Sequence, residues 1–294
     1  MLELFVRRTN QEWKRAMTRY LLSLMLLPMC WTSMLFAQRD WNAPFPPHQI
    51  IDNIYFVGTQ QLGSFLIATS EGHILVNSDF ESTVPLIRQN IETLGFEFTD
   101  IEIILGSHAH GDHMEADALV KEMTDATVMV MREDVARLHR LRPGGKDHPI
   151  DRILSDGDTV TLGETTLTAH RTAGHTRGCT SWAMEVEEND QTYLALIVCS
   201  FGVNPGYILV DNEDYPEIAD DYRATFAKAR ALPVEVFLGS HGFWYDMERK
   251  LEQAMSRVPG ETNPFIDRQG YLTHIDVQEL RFLEMLTEQQ DAAK

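Results

Sequence analysis

Ile101-Glu102-Ile103-Ile104-Leu105-Gly106-Ser107-His108-Ala109-His110-Gly111-Asp112-His113 is the stretch whose reading decides the fold. It opens with a short, β-branched, mostly apolar run, the composition of a strand buried on both faces. It closes with three imidazoles and a carboxylate within six residues, His108 to His113. Imidazole and carboxylate are the donors that Zn²⁺ accepts most readily after thiolate. On an extended segment alternate residues share a side, so His108 and His110 point the same way. Asp112 and His113 follow where the chain turns into a helix. One metal can take the alternating pair and a second can take Asp112 with His113. A lone histidine is usually a packed or surface residue. A run this dense behind a buried strand reads instead as half of a two-metal site.

Outward from this run the chain alternates strands and helices. Upstream, Ile50 to Val57 is strand-like, and Phe65–Ala68 and His73–Val76 flank the hairpin signal Glu71-Gly72. Val84 to Leu94 reads as a helix ended by Gly95. Downstream, Ala116, Leu119, Val120 and Met123 form one helical face, before a strand at Thr127–Met131 and a helix around Val135–Arg140. Strands follow at Thr159–Leu162, Thr165–His170, Ser181–Val186 and Tyr193–Val198. Ile218, Tyr222, Thr225 and Ala229 mark a further amphipathic helix, followed by a strand at Val234–Leu238 and helices from about Tyr245 and Asp276. Two similar halves of this kind predict an α/β chain of two sheets packed face to face with helices outside. No Gly/Ser-rich linker divides them, so residues 38–294 read as one domain.

The first forty residues differ in kind. Arg15 and Arg19 precede the apolar run Tyr20–Leu27, and Ala37 precedes Gln38-Arg39-Asp40, the pattern of a signal peptide over residues 1–37. Translation from Met17 would give a more ordinary start. A stable membrane anchor is not expected, because Tyr20–Phe36 is short for a span and is broken by Pro28, Thr32 and Ser33. Cys30 lacks the small residues that usually precede a lipidated cysteine. The expected location is therefore periplasmic.

The 294 residues carry 25 basic and 44 acidic side chains, a net charge of −19. Cleavage after residue 37 removes five bases and two acids and leaves −22. Such a surface repels phosphate backbones and argues against nucleic acid as a partner. Only Cys179 and Cys199 remain after cleavage. One pair between them is possible, but no disulfide framework holds the fold.

A two-metal site needs more donors. His175, in Ala173-Gly174-His175-Thr176, and His241, in Gly239-Ser240-His241-Gly242, each sit on a tight loop after a strand, where ligands concentrate. His48, His73, His139, His148, His170 and His274 lack partners at useful spacing or lie in polar contexts. Of these, His170 lies nearest in sequence to His175.

Together the His108–His113 run, Gly174-His175-Thr176 and Gly239-Ser240-His241-Gly242 resemble the metallo-β-lactamase superfamily. The likeness to its class B, subclass 3 members rests on Gly174–Trp182, Asn204-Pro205-Gly206-Tyr207, Ile218-Ala219-Asp220-Asp221-Tyr222 and Asn263-Pro264-Phe265-Ile266-Asp267. It extends from about Asp40 to Leu286. The resemblance implies a four-layer αβ/βα sandwich with two Zn²⁺ per chain at one edge. It implies His108, His110 and His175 on the first zinc, and Asp112, His113 and His241 on the second. Asp112 would also be catalytic by orienting the attacking hydroxide, and Ser200 would touch substrate. Relatives with other chemistry place a bridging Asp near Ser200, and another lactamase subclass places a ligating Cys there. Here the pair is Cys199-Ser200, and a shift of one residue would exchange their roles. Neighbours on a strand face opposite sides, so only one reaches the metals, and Ser200 is the assignment made. Met114 and Glu115 stand where small residues are usual, and Gly202 stands where some relatives carry a second serine.

The implied activity is hydrolysis of the β-lactam ring of penicillins, cephalosporins and carbapenems by metal-activated hydroxide, with no covalent intermediate. A lactonase of the same superfamily is the nearest alternative, separable by turnover of a homoserine lactone. A non-catalytic periplasmic zinc-binding protein is the alternative from another class, separable by tight zinc without turnover.

Overall fold

The computed structural model describes residues 41–294, so the expected signal segment lies outside the described residues. The described residues form one compact unit. A seven-stranded sheet runs β1 (His48–Ile51), β2 (Ile54–Phe56), β3 (Phe65–Thr69), β4 (Gly72–Val76), β5 (Ile101–Leu105), β6 (Thr127–Met131) and β7 (Arg152–Leu154) in spatial order. Its first four strands pair antiparallel, and β4 to β7 pair parallel. The second sheet has the order β12-β11-β10-β9-β8, with β8 (Thr159–Leu162), β9 (Thr165–Arg171), β10 (Thr180–Glu188), β11 (Gln191–Val198) and β12 (Val236–Gly239). Only β11 and β12 in it are parallel.

Period-two alternation builds the layers. On β3, Phe65 and Ile67 enter the core shared with Trp182, Leu196 and Phe237 of the second sheet, whereas Leu66 faces a separate cluster. On β5, Ile103 and Leu105 point to the shared core and Ile104 points away. The second cluster is closed by α1 (Val84–Thr93), α3 (Asp117–Thr124) and α4 (Val135–Leu141), through Ile87, Ile91, Val120 and Leu138. On the other side, α5 (Ile218–Ala231) and α7 (Arg268–Ala292) contribute Tyr222, Phe226, Tyr271 and Phe282 to the large core. The result is the expected sandwich of helices, sheet, sheet and helices. Two shorter helices, α2 (Gly111–Met114) and α6 (Met247–Ser256), complete the described elements longer than a 3₁₀ turn.

Several expectations are corrected. Ile50–Val57 is a hairpin, β1 turning into β2 at Asp52, whose left-handed φ of 47° ends the first strand. Glu102 on β5 is exposed, so that strand is buried on one face along its whole length and only partly on the other. The terminal helix starts at Arg268 because Asp267 caps it, its side chain accepting the Gly270 N–H at 2.7 Å. That adds two turns before Asp276. Cys179 and Cys199 form a disulfide, which the sequence left open.

Candidate metal centre

The donors sit at or just beyond the carboxyl ends of β5 in the first sheet and β9 and β12 in the second. The loop after β5 carries His108 and His110 and runs into α2, which holds Asp112 and His113. The loop after β9 carries His175, and β12 ends one residue before Ser240-His241. Hydrogen bonds lock these exits together across the two sheets. Thr180 N–H donates to Ser107 O at 2.8 Å and the Trp182 indole to Gly106 O at 3.1 Å. Asn77, in the left-handed turn after β4, accepts the Ser107 N–H at 2.8 Å and donates to Gly63 O at 3.0 Å. Gly174 is required where it stands. Its φ is +128°, and a Cβ there would come within 2.7 Å of the Tyr222 ring.

Two triads result. Ligand atoms of His108, His110 and His175 all lie within 4.8 Å of one another, and so do those of Asp112, His113 and His241. The triads adjoin, with the His108 and His113 rings 4.3 Å apart. Asp112 Oδ2 stands 3.3 Å from His113 Nε2 and 3.7 Å from His241 Nε2. His175 Nδ1 donates to Gly202 O at 2.9 Å and His241 Nδ1 to Gln61 O at 3.2 Å. These carbonyls turn each Nε2 toward the centre, the arrangement that fixes a ligating tautomer.

Burial disfavours a second proton on these imidazoles. His110, His113 and His241 are each driven down to about 3, first by burial and then by the charges of neighbouring histidines. His108 is lowered well below the ordinary histidine value by the same two causes. Both ring nitrogens of His113 are buried without a hydrogen-bond partner. A buried polar atom left unpaired is costly, and a cation is the partner that neutral imidazoles and a carboxylate share. The donor set therefore fits two Zn²⁺ sites.

Five of the six donors line a cavity of about 500 Å³, from which only His113 is hidden. Trp41, Phe243 and Trp244 form an aromatic wall, and Ser200 and Asn204 add polar groups. A larger cavity of about 660 Å³ on the second sheet, edged by Glu164, Glu185 and Glu187, contains none of the six. His170 faces that cavity and joins neither triad. Ser200 lines the site cavity, while Cys199 turns its sulfur to Cys179. A disulfide sulfur is no thiolate ligand, although Cys199 Sγ lies 3.4 Å from His108 Nδ1. Met114 is buried in the core against Gly106, and Glu115 lies beside Gly111, outside the residues lining the cavity.

Sequence reading missed Asp134. Buried at the start of α4, it accepts from Ala109 N–H at 2.9 Å, Thr176 Oγ–H at 2.8 Å and Gly178 N–H at 2.8 Å. One carboxylate thus clamps the His108–His110 loop to the His175 loop. Burial raises its carboxyl above the ordinary range, against the lowering effect of those bonds and of Arg137. Arg137 itself donates to Ala109 O at 2.8 Å. No spacing rule links Asp134 to the metal run. His274 was also read as bland, yet it lines the cavity from α7.

The metallo-β-lactamase superfamily model matches residues 62–241. Among solved structures, native FEZ-1 metallo-β-lactamase from Legionella gormanii is 42% identical, with a TM-score of 0.79, covering 84% of this chain and 98% of that one. BJP-1, a subclass B3 metallo-β-lactamase of Bradyrhizobium japonicum, is 38% identical with a TM-score of 0.80, covering 88% and 100%. LRA-12, a class B3 di-zinc metallo-β-lactamase from an Alaskan soil metagenome, is 30% identical with a TM-score of 0.76, covering 84% and 97%. A curated relative described as a probable metallo-hydrolase, from Burkholderia pseudomallei (strain 1710b), is 30% identical over 89 residues. That match takes in 28% of this chain and 30% of the relative's length.

Proposed function

The chain belongs to the metallo-β-lactamase superfamily, within subclass B3, and is a hydrolase; from that premise we propose that it opens the β-lactam ring of penicillins, cephalosporins and carbapenems using two zinc ions. The observation that carries this is the pair of adjoining triads, their imidazoles held neutral and both His113 nitrogens without a partner, opening onto one cavity with Ser200 on its wall.

His108, His110 and His175 would hold one ion, and Asp112, His113 and His241 the other. Zinc there supplies solvent acidic enough to ionise near neutral pH and a charge that polarises a carbonyl. The protein's part is positioning. The Gly202 and Gln61 carbonyls fix the His175 and His241 rings, and Asp134 holds the loops that carry the first triad. Asp112 is the only acid among the six, 3.3 Å from His113 Nε2 and 3.7 Å from His241 Nε2, and would be the acceptor that orients the attacking water. Ser200 would donate to the substrate from a cavity wall that also carries Trp41 and Phe243. No side chain needs to be acylated. We also propose export to the periplasm with cleavage after Ala37. The Cys179–Cys199 disulfide supports this, because such bonds persist in oxidising compartments.

Nitrocefin turnover by the mature protein tests the reading. EDTA should abolish it, zinc should restore it, and clavulanate should leave it unchanged. A folded, zinc-loaded sample that hydrolyses neither nitrocefin, penicillins nor carbapenems would overturn it, and turnover of a homoserine lactone would then favour the lactonase.

A further inference from the structure

Between β11 and α5 the chain runs from Cys199 to Glu217 without helix or strand, long for a compact domain and the kind of connection that carries function. Gly202, Val203 and Asn204 of this loop line the cavity. One end of that stretch is fixed at Gly202, whose carbonyl accepts from His175 Nδ1 at 2.9 Å and from the Tyr222 hydroxyl at 2.8 Å. The other end is held by α7. Gln289, half-buried near the end of that helix, accepts the Leu209 N–H through Oε1 and donates to Tyr207 O through Nε2, both at 2.7 Å. The C=O of one residue and the N–H two residues on are the pair that one residue of a parallel strand bonds. Here a single side-chain amide takes its place. Between the two ends the Tyr207 N–H closes a turn onto Asn204 O at 3.1 Å, and the Tyr207 hydroxyl donates to His175 O at 2.8 Å. Asn204, Pro205 and Gly206 are exposed.

We propose that Gln289 is a positioning residue of the site: its amide fixes where the Val203–Asn204 wall stands, and through that wall how closely substrate is held. For the identity of the substrate this rests on the lactamase reading. Gln289 is not among the residues lining the cavity, so its effect travels along the backbone. Leu209 is only 4% exposed, with its side chain in the large core, and its N–H cannot turn to water unless the chain moves. Losing the amide therefore shifts or loosens the loop, rather than leaving it in place with two bonds missing. The same loop meets the first triad where the Tyr207 hydroxyl bonds His175 O, so a smaller effect on that triad follows. α7 thereby shapes the site from outside it.

Two variants test this. Gln289→Met keeps the length of the side chain but neither bond, and Gln289→Ala removes the stem as well. In both, KM for benzylpenicillin should rise about three- to tenfold with kcat within about twofold, the range set by one or two neutral hydrogen bonds. Gln290→Ala, at the exposed neighbour, should change neither. Amide hydrogen exchange in metal-free protein reads the loop without turnover. Exchange at Leu209 should quicken at least about tenfold in Gln289→Met, while β11 and α5 keep the parent's rates. Zinc affinity at the His108–His110–His175 triad, by chelator competition, should weaken about threefold, less than the roughly tenfold loss for a group bonded directly to a ligand's side chain. A packing role alone would lower the melting temperature without splitting KM from kcat or confining the faster exchange to this loop. Unchanged exchange at Leu209, or faster exchange with unchanged KM, would overturn the assignment. If the parent hydrolyses no β-lactam, the proposed activity fails, and exchange with zinc affinity decides the role of Gln289: both must change for it to stand.

Discussion

His113 and His148 are both fully buried at the side chain, yet the protein treats them in opposite ways. His113 belongs to a crowd of imidazoles and is held at about 3, by burial first and then by the charge of His175. His148 faces a single acid, its Nε2 3.1 Å from Asp117 Oδ2, and there are no other imidazoles about it to repel a proton. Burial alone would lower it, but the contact with Asp117 and its charge outweigh that and raise it above 6.5. Asp117 is also held by the Ser78 hydroxyl at 2.6 Å. The two regions belong to one stretch of chain, since Asp112 and His113 lie in α2 and Asp117 opens α3. Burial is common to both, so the neighbours decide. Imidazoles facing imidazoles stay neutral, with lone pairs that a metal could take, whereas an imidazole facing one buried carboxylate holds its second proton to higher pH and ties its loop to a helix.

The comparison breaks most visibly in activity. His113→Ala should lower kcat/KM by about 100-fold or more and remove about one zinc per chain, while the melting temperature of chelator-treated protein changes little. Nitrocefin kinetics and elemental analysis on the same sample check it, and retention of both metals would mean His113 is not a ligand.

His148 should behave in reverse. Asp117→Ala removes both the acid that raises His148 and the acceptor of the Ser78 hydroxyl, so stability should fall by about 3–5 kcal/mol while zinc content is kept. The pH dependence has a definite sign. His148 is raised in the folded protein, so its contribution is complete below the unfolded value of 6.5 and is lost as pH rises through the folded value. Denaturant melts of the parent and His148→Phe should therefore converge with rising pH, and divergence would contradict the pairing.

The disulfide sharpens the boundary between the regions, because Cys199 Sγ lies 3.4 Å from His108 Nδ1 yet is bonded to Cys179. Its half-cystines are 20 residues apart, and closing a loop of that length is worth about 3 kcal/mol. Cys199→Ala should lose up to about that much stability and keep both metals and most activity. Loss of one metal would transfer the ligand role from the proposed set to Cys199.

Asp134→Asn is the mildest test. It keeps the shape but replaces one acceptor oxygen with a donor facing Ala109 and Thr176, or Gly178, at a cost of about 1–3 kcal/mol. Zinc affinity should weaken by about 10- to 100-fold at the His108–His110–His175 triad and less at the other, as measured by chelator competition.

Local rules made the six donors readable. Each stands on a short Gly-flanked segment after an apolar strand, and strand alternation already separated Ser200 from Cys199. Sheets, layers and most helices were legible for the same reason, since period-two and helical patterns report which face is buried. The hairpin at Asp52 was not, because the apolar residues run on through a turn made by a single left-handed residue. The start of α7 was carried by the cap Asp267, and His274, in its second turn, meets the cavity only through the packing of that helix.

By itself, then, the sequence pointed to the clustered histidines with Asp112, the layers and the family, because these depend on residue type and short-range spacing. Tertiary structure alone decided the rest. It joined Cys179 to Cys199, hung two loops on Asp134, gave His148 its acid and set the Gln289 amide against the backbone of Tyr207 and Leu209. Each of those outcomes depends on which groups meet after sheets and helices pack. Burial then sets the energetic consequence, since a polar group removed from water takes its protonation and its role from whatever stands within a few ångströms.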